Sequence, residues 1–183
     1  MSGIGVIRMG LWEELERYFI ILDCGCMVYC DSPEQEEIEI EQLYTALENK
    51  YGSDFPIYRY DAPEKKPTQK DFYLALMDSV NCQDNSTKDP IYLHHILTQH
   101  IQGEVEASNS HIKKAVLIVK NAERLSEKQY TWLIDIYNTL EMKDVRIFTI
   151  LFGSSKLKEV RKKFITKGKS QIVQRYMVKE FTC

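Results

Sequence analysis

Two rhythms of apolar and polar residues run along this chain. One has helical spacing of about 3.6 residues, and the other consists of short unbroken apolar runs. Leu11, Leu15, Tyr18, Phe19 and Leu22 share one face and predict a first helix. A short strand follows at about Cys26–Cys30. The next helix is expected over about Gln35–Lys50, with Ile38, Leu43 and Leu47 inward and Gly52 as the residue just past its end. Pro56 to Tyr60 reads as a second strand. A loop with Pro63 and Pro67 then leads to Thr68, which caps a helix burying Phe72, Leu76 and Val80. Asn81 to Asp89 is polar and reads as a loop, and Ile91 to about Val105 as another helix.

The strongest strand is Ala115-Val116-Leu117-Ile118-Val119, continuous and apolar as a central parallel strand must be. Ser126 caps a helix reaching about Glu141, with Tyr130, Leu133, Ile134 and Tyr137 inward. Val145 to Phe152 is a second continuous apolar strand, ended by Gly153. Ser154 or Ser155 caps a short basic helix, and Arg175 to Phe181 is expected to be a final strand. Strands alternating with helices imply a layered α/β fold with a mainly parallel sheet, and ligands of such sheets sit at the carboxyl ends of strands. Cys30, Lys120 and Gly153 fall at those ends.

Composition narrows the picture little. A chain of 183 residues, 44% hydrophobic and 28% charged, suits one globular domain over 1–183. No apolar run is long enough to span a membrane, and no secretory signal pattern opens the chain. A cytoplasmic protein is expected. Five cysteines, three of them at 24, 26 and 30 along one strand, predict free thiols in a reducing compartment. That C-x-C-x₃-C spacing lacks the paired form of structural zinc sites, so no metal is expected. His94, His95, His100 and His111 show no ligand pattern. The 11 tyrosines fall mostly at inward positions and read as packing.

Charge is uneven. Residues 1–90 hold 8 Lys/Arg and 18 Asp/Glu, whereas residues 91–183 hold 16 and 9. The acidic excess peaks at Glu34–Glu41 and the basic excess at Lys156–Lys169. Such polarity can stack copies head to tail or offer a surface to nucleic acid. Lys156, Lys158, Arg161, Lys162, Lys163, Lys167 and Lys169 are therefore the candidate DNA or partner contacts, of a salt-dependent and sequence-independent kind.

Between the first strand and the second helix, a phosphate-binding unit would carry G-x-x-x-x-G-K-[ST]. Its backbone N–H groups and lysine surround phosphate. Here the same stretch is Cys30, Asp31, Ser32, Pro33, Gln35 and three glutamates among its eight residues. Cys30 and Gln35 stand at the glycine positions, Glu36 at the lysine and Glu37 at the hydroxyl, so the charge is inverted.

The layout nevertheless resembles the core of an AAA-type P-loop ATPase. The resemblance rests on that strand–loop–helix and on Val116-Leu117-Ile118-Val119-Lys120-Asn121-Ala122-Glu123-Arg124-Leu125, which looks like a Walker B strand. It rests also on Phe148-Thr149-Ile150-Leu151-Phe152-Gly153-Ser154, similar to a sensor-1 strand, and on Ile172-Val173-Gln174-Arg175-Tyr176, similar to an arginine-finger segment. Within the superfamily, Pro56-Ile57-Tyr58-Arg59-Tyr60-Asp61-Ala62-Pro63 resembles the TniB/TnsC-type transposition-helper ATPases, with clamp-loader subunits a close rival.

The resemblance implies a three-layer P-loop-type domain, with no helical lid expected after the arginine segment. It also implies a failed site. Lys120 and Asn121 stand where magnesium-binding Asp and catalytic Glu belong. Lysine cannot ligate magnesium, and asparagine cannot act as a base. Three parts of phosphoryl transfer are missing together. The degenerate pocket comprises Cys30, Ser32, Gln35, Glu36, Glu37, Lys120, Asn121 and Ser154, with Lys120 free to pair with Glu36 or Glu37. Ser154 also reads as a helix cap. Arg175 is a candidate arginine finger acting on a neighbouring subunit. The expected function is a non-catalytic ATPase-fold subunit, assembling with itself or protein partners, with DNA a possible partner and no cofactor. The alternatives are an ATPase whose pocket is unorthodox or completed by another subunit, which would need ATP and magnesium, and a DNA-binding module.

Overall fold

The computed structural model describes residues 10–21, 24–83 and 88–183. Helix α1 (Leu11–Ile21) is followed by β1 (Gly25–Tyr29), α2 (Pro33–Tyr51), β2 (Ile57–Asp61), α3 (Gln69–Ser79), α4 (Pro90–Ala107) and β3 (Lys114–Lys120). A single 3₁₀ turn (Ala122–Arg124) leads to α5 (Glu127–Glu141), β4 (Arg146–Gly153), α6 (Lys156–Thr166), α7 (Ser170–Tyr176) and β5 (Glu180–Thr182). The sheet order is β2-β3-β4-β1-β5, and every pairing is parallel.

The unbroken apolar strands are explained by burial on both faces. Met27, Leu117, Val119 and Leu151 point into a core shared with α3, α4, α5 and α7. Their neighbours Cys26, Val28, Ile118, Ile150 and Phe152 point into a second core under α1 and α2. The result is the three-layer α/β arrangement that the sequence pattern predicts. Helix α1 is anchored by Leu11, Leu15 and Phe19, and Phe19 packs edge-on to Phe148 at 5.2 Å between centroids. Burying such a side chain contributes about 1.5–3 kcal/mol.

Several expectations change. Ile38 is 57% exposed, and Ile40 is buried instead. The inward stripe of α2 runs Glu36, Ile40, Leu43, Leu47, Tyr51, and a residue five before Leu43 lies roughly 140° off that line. The stretch 175–181 is not one strand. Ile172 and Tyr176 are buried at helical spacing on α7, and only Glu180–Thr182 pairs with β1. The cysteines at 24, 26 and 30 do not lie along one strand, since β1 holds only Cys26. Cys26 and Cys30 enter the α1/α2 core, while Cys24, ahead of the strand, packs on the other.

Nor are all thiols free. Parallel pairing sets Tyr29 beside Thr182, so the next residues, Cys30 and Cys183, have Cα atoms 5.0 Å apart and form a disulfide. Their separation of 153 residues hides the pairing from the sequence. Leu22 and part of the 81–89 loop lie outside the described residues.

Gly25 faces Thr149 in the β1–β4 ladder, and a Cβ there would run into the Thr149 carbonyl. Gly25→Ala is expected to cost about 3 kcal/mol, read as a lowered urea midpoint. An unchanged midpoint would show that β1 and β4 can part without loss.

Candidate functional site

The carboxyl ends of β1, β2, β3 and β4 meet the amino-terminal half of α2, and the charged residues of the chain's centre converge there. The β1–α2 connection is only Cys30, Asp31 and Ser32. Helix α2 starts at Pro33, two residues earlier than the sequence pattern suggests, because proline suits the first helical position and Ser32 caps it. Ser32 Oγ accepts the Gln35 N–H at 3.1 Å. The Glu34 carboxyl is lowered by its own backbone N–H and by Ser32, so a side chain of the protein already answers the helix's amino-terminal charge. Five of the eight residues expected to form a phosphate-type loop are therefore helical, Gln35, Glu36 and Glu37 among them.

Above this short turn sits an ion network. Lys120, at the end of β3, places Nζ 2.8 Å from Glu37 Oε2 and 3.7 Å from Glu36 Oε1. This is the pairing of Lys120 with Glu36 or Glu37 that the sequence raises. Arg59 of β2 grips the same Glu37 with both guanidinium nitrogens, at 2.6 and 2.7 Å. Two cations thus share one carboxylate, and their hydrogen bonds, that of Arg59 first, hold the Glu37 carboxyl down to about 2. Glu36 is 9% exposed, and burial raises its carboxyl despite the Lys120 charge. Asn121 takes a left-handed conformation (φ 52°), which asparagine tolerates, and donates its side-chain N–H to Asp61 at 2.7 Å.

One contributor was not singled out in the sequence. Glu123, on the 3₁₀ turn, accepts the Ser154 hydroxyl at 2.8 Å through Oε1, while its buried Oε2 has no hydrogen-bond partner. A Cβ at Gly153 would run into that oxygen, so the glycine ending β4 is what lets Glu123 fold in. Its signal was the polar position two residues after Asn121 in the Ala-x-x-Leu stretch, which carries a carboxylate without saying where it points. Ser154 spends its hydroxyl on Glu123 and accepts only a long bond from the Lys156 N–H (3.4 Å), so its capping role is minor.

The family model described as an AAA domain matches residues 34–160, well over half of the chain. The chain belongs to the AAA domain family. Among solved structures, this AAA domain is similar to the ORC2 protein of Aeropyrum pernix in its ADPNP–ADP complexes, with TM-score 0.64 and 11% identity. That match covers 97% of this chain and 47% of the other. It is similar to Cdc6p of Pyrobaculum aerophilum at TM-score 0.64 and 11% identity, covering 98% and 48%. Drosophila ORC bound to poly(dA/dT) DNA and Cdc6 follows at TM-score 0.58 and 10% identity, covering 93% and 28%. The chain thus spans about half the length of the archaeal proteins. At these identities the likeness is one of fold. No curated protein matches the sequence.

The other candidates in this AAA domain lie apart from the network. Arg175, on α7, stacks its guanidinium 4.7 Å from the Tyr137 ring centre and approaches Cys24 Sγ at 4.0 Å. Cys24 precedes β1, so Arg175 sits at the amino rim of the sheet, opposite the charged cluster. The basic stretch is partly spent within the domain. Arg161 pairs with Glu180 at 3.0 Å, Lys169 with Glu127 at 2.7 Å, and Lys158 lies over the Tyr29 ring. Lys156, Lys162, Lys163 and Lys167 are exposed, with no carboxylate within 4 Å among the described residues.

Lys120→Ala leaves Glu36 buried without its cation and is expected to cost about 3 kcal/mol at neutral pH. Adding Glu36→Gln should recover more than half of that in urea titration; additive losses would show that the pair is not coupled. The acid response has a defined sign. Glu37 is lower in the folded state than its ordinary 4.5, so its contribution is complete above about 4.5 and fades as pH falls toward about 2. Glu36 acts oppositely, because a raised carboxyl favours the fold as it protonates. Glu37→Gln is therefore expected to flatten the fall in urea midpoint over that acid window. An unaltered slope would place the acid lability elsewhere.

Proposed function

We propose that this AAA domain is a pseudo-ATPase, an assembly or regulatory subunit that works without binding or hydrolysing nucleotide. The single observation that carries the reading is the Lys120–Glu37–Arg59 network over a three-residue turn. A phosphate loop presents N–H groups and a cation to an anion. Here the turn is too short to wrap one, and α2 offers carboxylates. By the resemblance, Glu37 and Lys120 stand where a hydroxyl and an aspartate would hold magnesium between them. They bind each other directly, and a dication there would have to displace an ammonium group.

The biological setting is proposed to be a DNA transaction, of which transposition is the one that the sequence resemblance implies. Two considerations support it. Exposed Lys156 and Lys162 keep their charge available to phosphate. Among proteins of the same fold, the Drosophila ORC structure is described as bound to DNA and Cdc6.

A second reading, an ATPase with an unorthodox pocket, is favoured by one observation. The buried, unpartnered Oε2 of Glu123, beside Ser154, is the kind of carboxylate a water-activating base requires. Calorimetric titration with ATP and magnesium separates the two. The pseudo-ATPase reading expects no heat and no rise in melting temperature. Micromolar binding that Glu123→Gln leaves intact while abolishing turnover would overturn it in favour of the second.

A further inference from the structure

A cleft of 710 Å³ opens between α6 and the start of α5. Its rim is cationic from three separate segments: Lys66 before α3, Lys128 in the first turn of α5, and Lys163 and Lys167 on α6. All four are exposed, and none has a carboxylate within 4 Å among the described residues. Of the two acids that border the cleft, Glu127 pairs with Lys169 and also lies in the field of Lys163 and Lys167, and Glu123 accepts from Ser154. The floor is apolar, with Phe164 only 4% exposed and Val160 beside it. A greasy floor inside a rim of net positive charge calls for an occupant that is apolar in the middle and acidic on both sides.

The chain carries such an object. On the outer face of α2, Glu34, Ile38 and Glu41 fall at i, i+4 and i+7, one stripe of the helix, with Ile38 57% exposed between two exposed carboxylates, of which Glu41 also lies 3.9 Å from Arg59 at the stripe's edge. A large aliphatic side chain left in water at the centre of an acidic stripe has no role in the fold, whose α2 contacts run through Ile40, Leu43 and Leu47. The stripe cannot reach the cleft of its own chain. Helix α2 lies in one outer layer, and α5, with the Phe164 floor, belongs to the other.

We infer that the cleft receives the α2 stripe of a second copy of this chain, with Ile38 on the Phe164 floor and Glu34 and Glu41 against the lysine rim. The contact joins two different surfaces from opposite layers, so it is heterologous and repeats head to tail, giving a ring or a filament rather than an isolated dimer. Nucleic acid would satisfy the lysines but brings no aliphatic group for the floor. This inference rests on the proposed assembly role and names its partner and surfaces.

Sedimentation velocity on the full chain at low salt, with and without ATP and magnesium, tests it. The wild-type protein is expected to associate with rising concentration and to dissociate as salt is added. Lys163→Glu with Lys167→Glu, and separately Glu34→Lys with Glu41→Lys, should each weaken association by about tenfold or more. Mixing the two variants should restore it, because each cleft then meets a stripe of opposite charge. That restoration also shows that both variants are folded. Association without nucleotide that ignores both reversals overturns the interface and leaves the pseudo-ATPase reading standing. Association that needs ATP but is rescued by mixing keeps the interface and overturns that reading. A wild-type chain that stays monomeric, and whose Lys163/Lys167 variant loses affinity for an oligonucleotide, assigns the cleft to nucleic acid and overturns the interface.

Discussion

The charged rim of this domain is set by the parallel ladder of β2, β3, β4 and β1. The ladder aligns Ile57–Asp61 with Val116–Lys120, Lys114–Val119 with Arg146–Leu151 and Gly25–Tyr29 with Thr149–Gly153, so four strand ends come out at one rim in fixed order. Side chains alternate between two cores, and each strand is held by apolar burial above and below. With the rim fixed by packing, the charges there have only to balance one another. Lys120 is accommodated at the end of β3 because its stem leaves a strand already locked on both faces, and its ammonium finds its partners, Glu36 and Glu37, on α2.

The electrostatic consequence is a site that solves its own charge balance. Glu37 is shared by Arg59 and Lys120, Glu36 is half-answered by Lys120, and Asp61 is held by Asn121. Removing one cation from such a cluster strands a buried carboxylate, whereas an added anion finds its donors already occupied.

Much of this was legible in the sequence. The two continuous apolar runs gave the central strands within a residue or two, and Ser126 and Thr68 marked helix starts that the structure caps through those same side chains. The charges of Glu36, Glu37 and Lys120 at the rim were legible because the first two follow the turn after one strand and the third ends another, and strand ends face the rim. Other features depended on three-dimensional proximity. Ile38 and Ile40 are indistinguishable by hydrophobicity, and only the phase of the whole stripe separates them. Pro33 moved the helix start by two residues, which turned an expected loop into a helical turn. Glu123 reads as one more surface acid until Gly153 is seen to make room for it. The Cys30–Cys183 pairing required knowing that β5 lies beside β1, a topological fact with no local signature.

That pairing has a mechanical meaning. Edge strand β5 is three residues long and joined to the sheet on one side only, so it would ordinarily be the first element to peel away. With Cys183 covalently tied to Cys30, tension applied at residue 183 bypasses β5 and α7 and arrives at the end of β1. The load then falls along a strand flanked on both sides, where ladder bonds must shear together instead of opening one at a time. A machine that unravels proteins by drawing the chain in from residue 183 would meet a strand paired on both sides first, unless a reductant had already parted the two sulfurs.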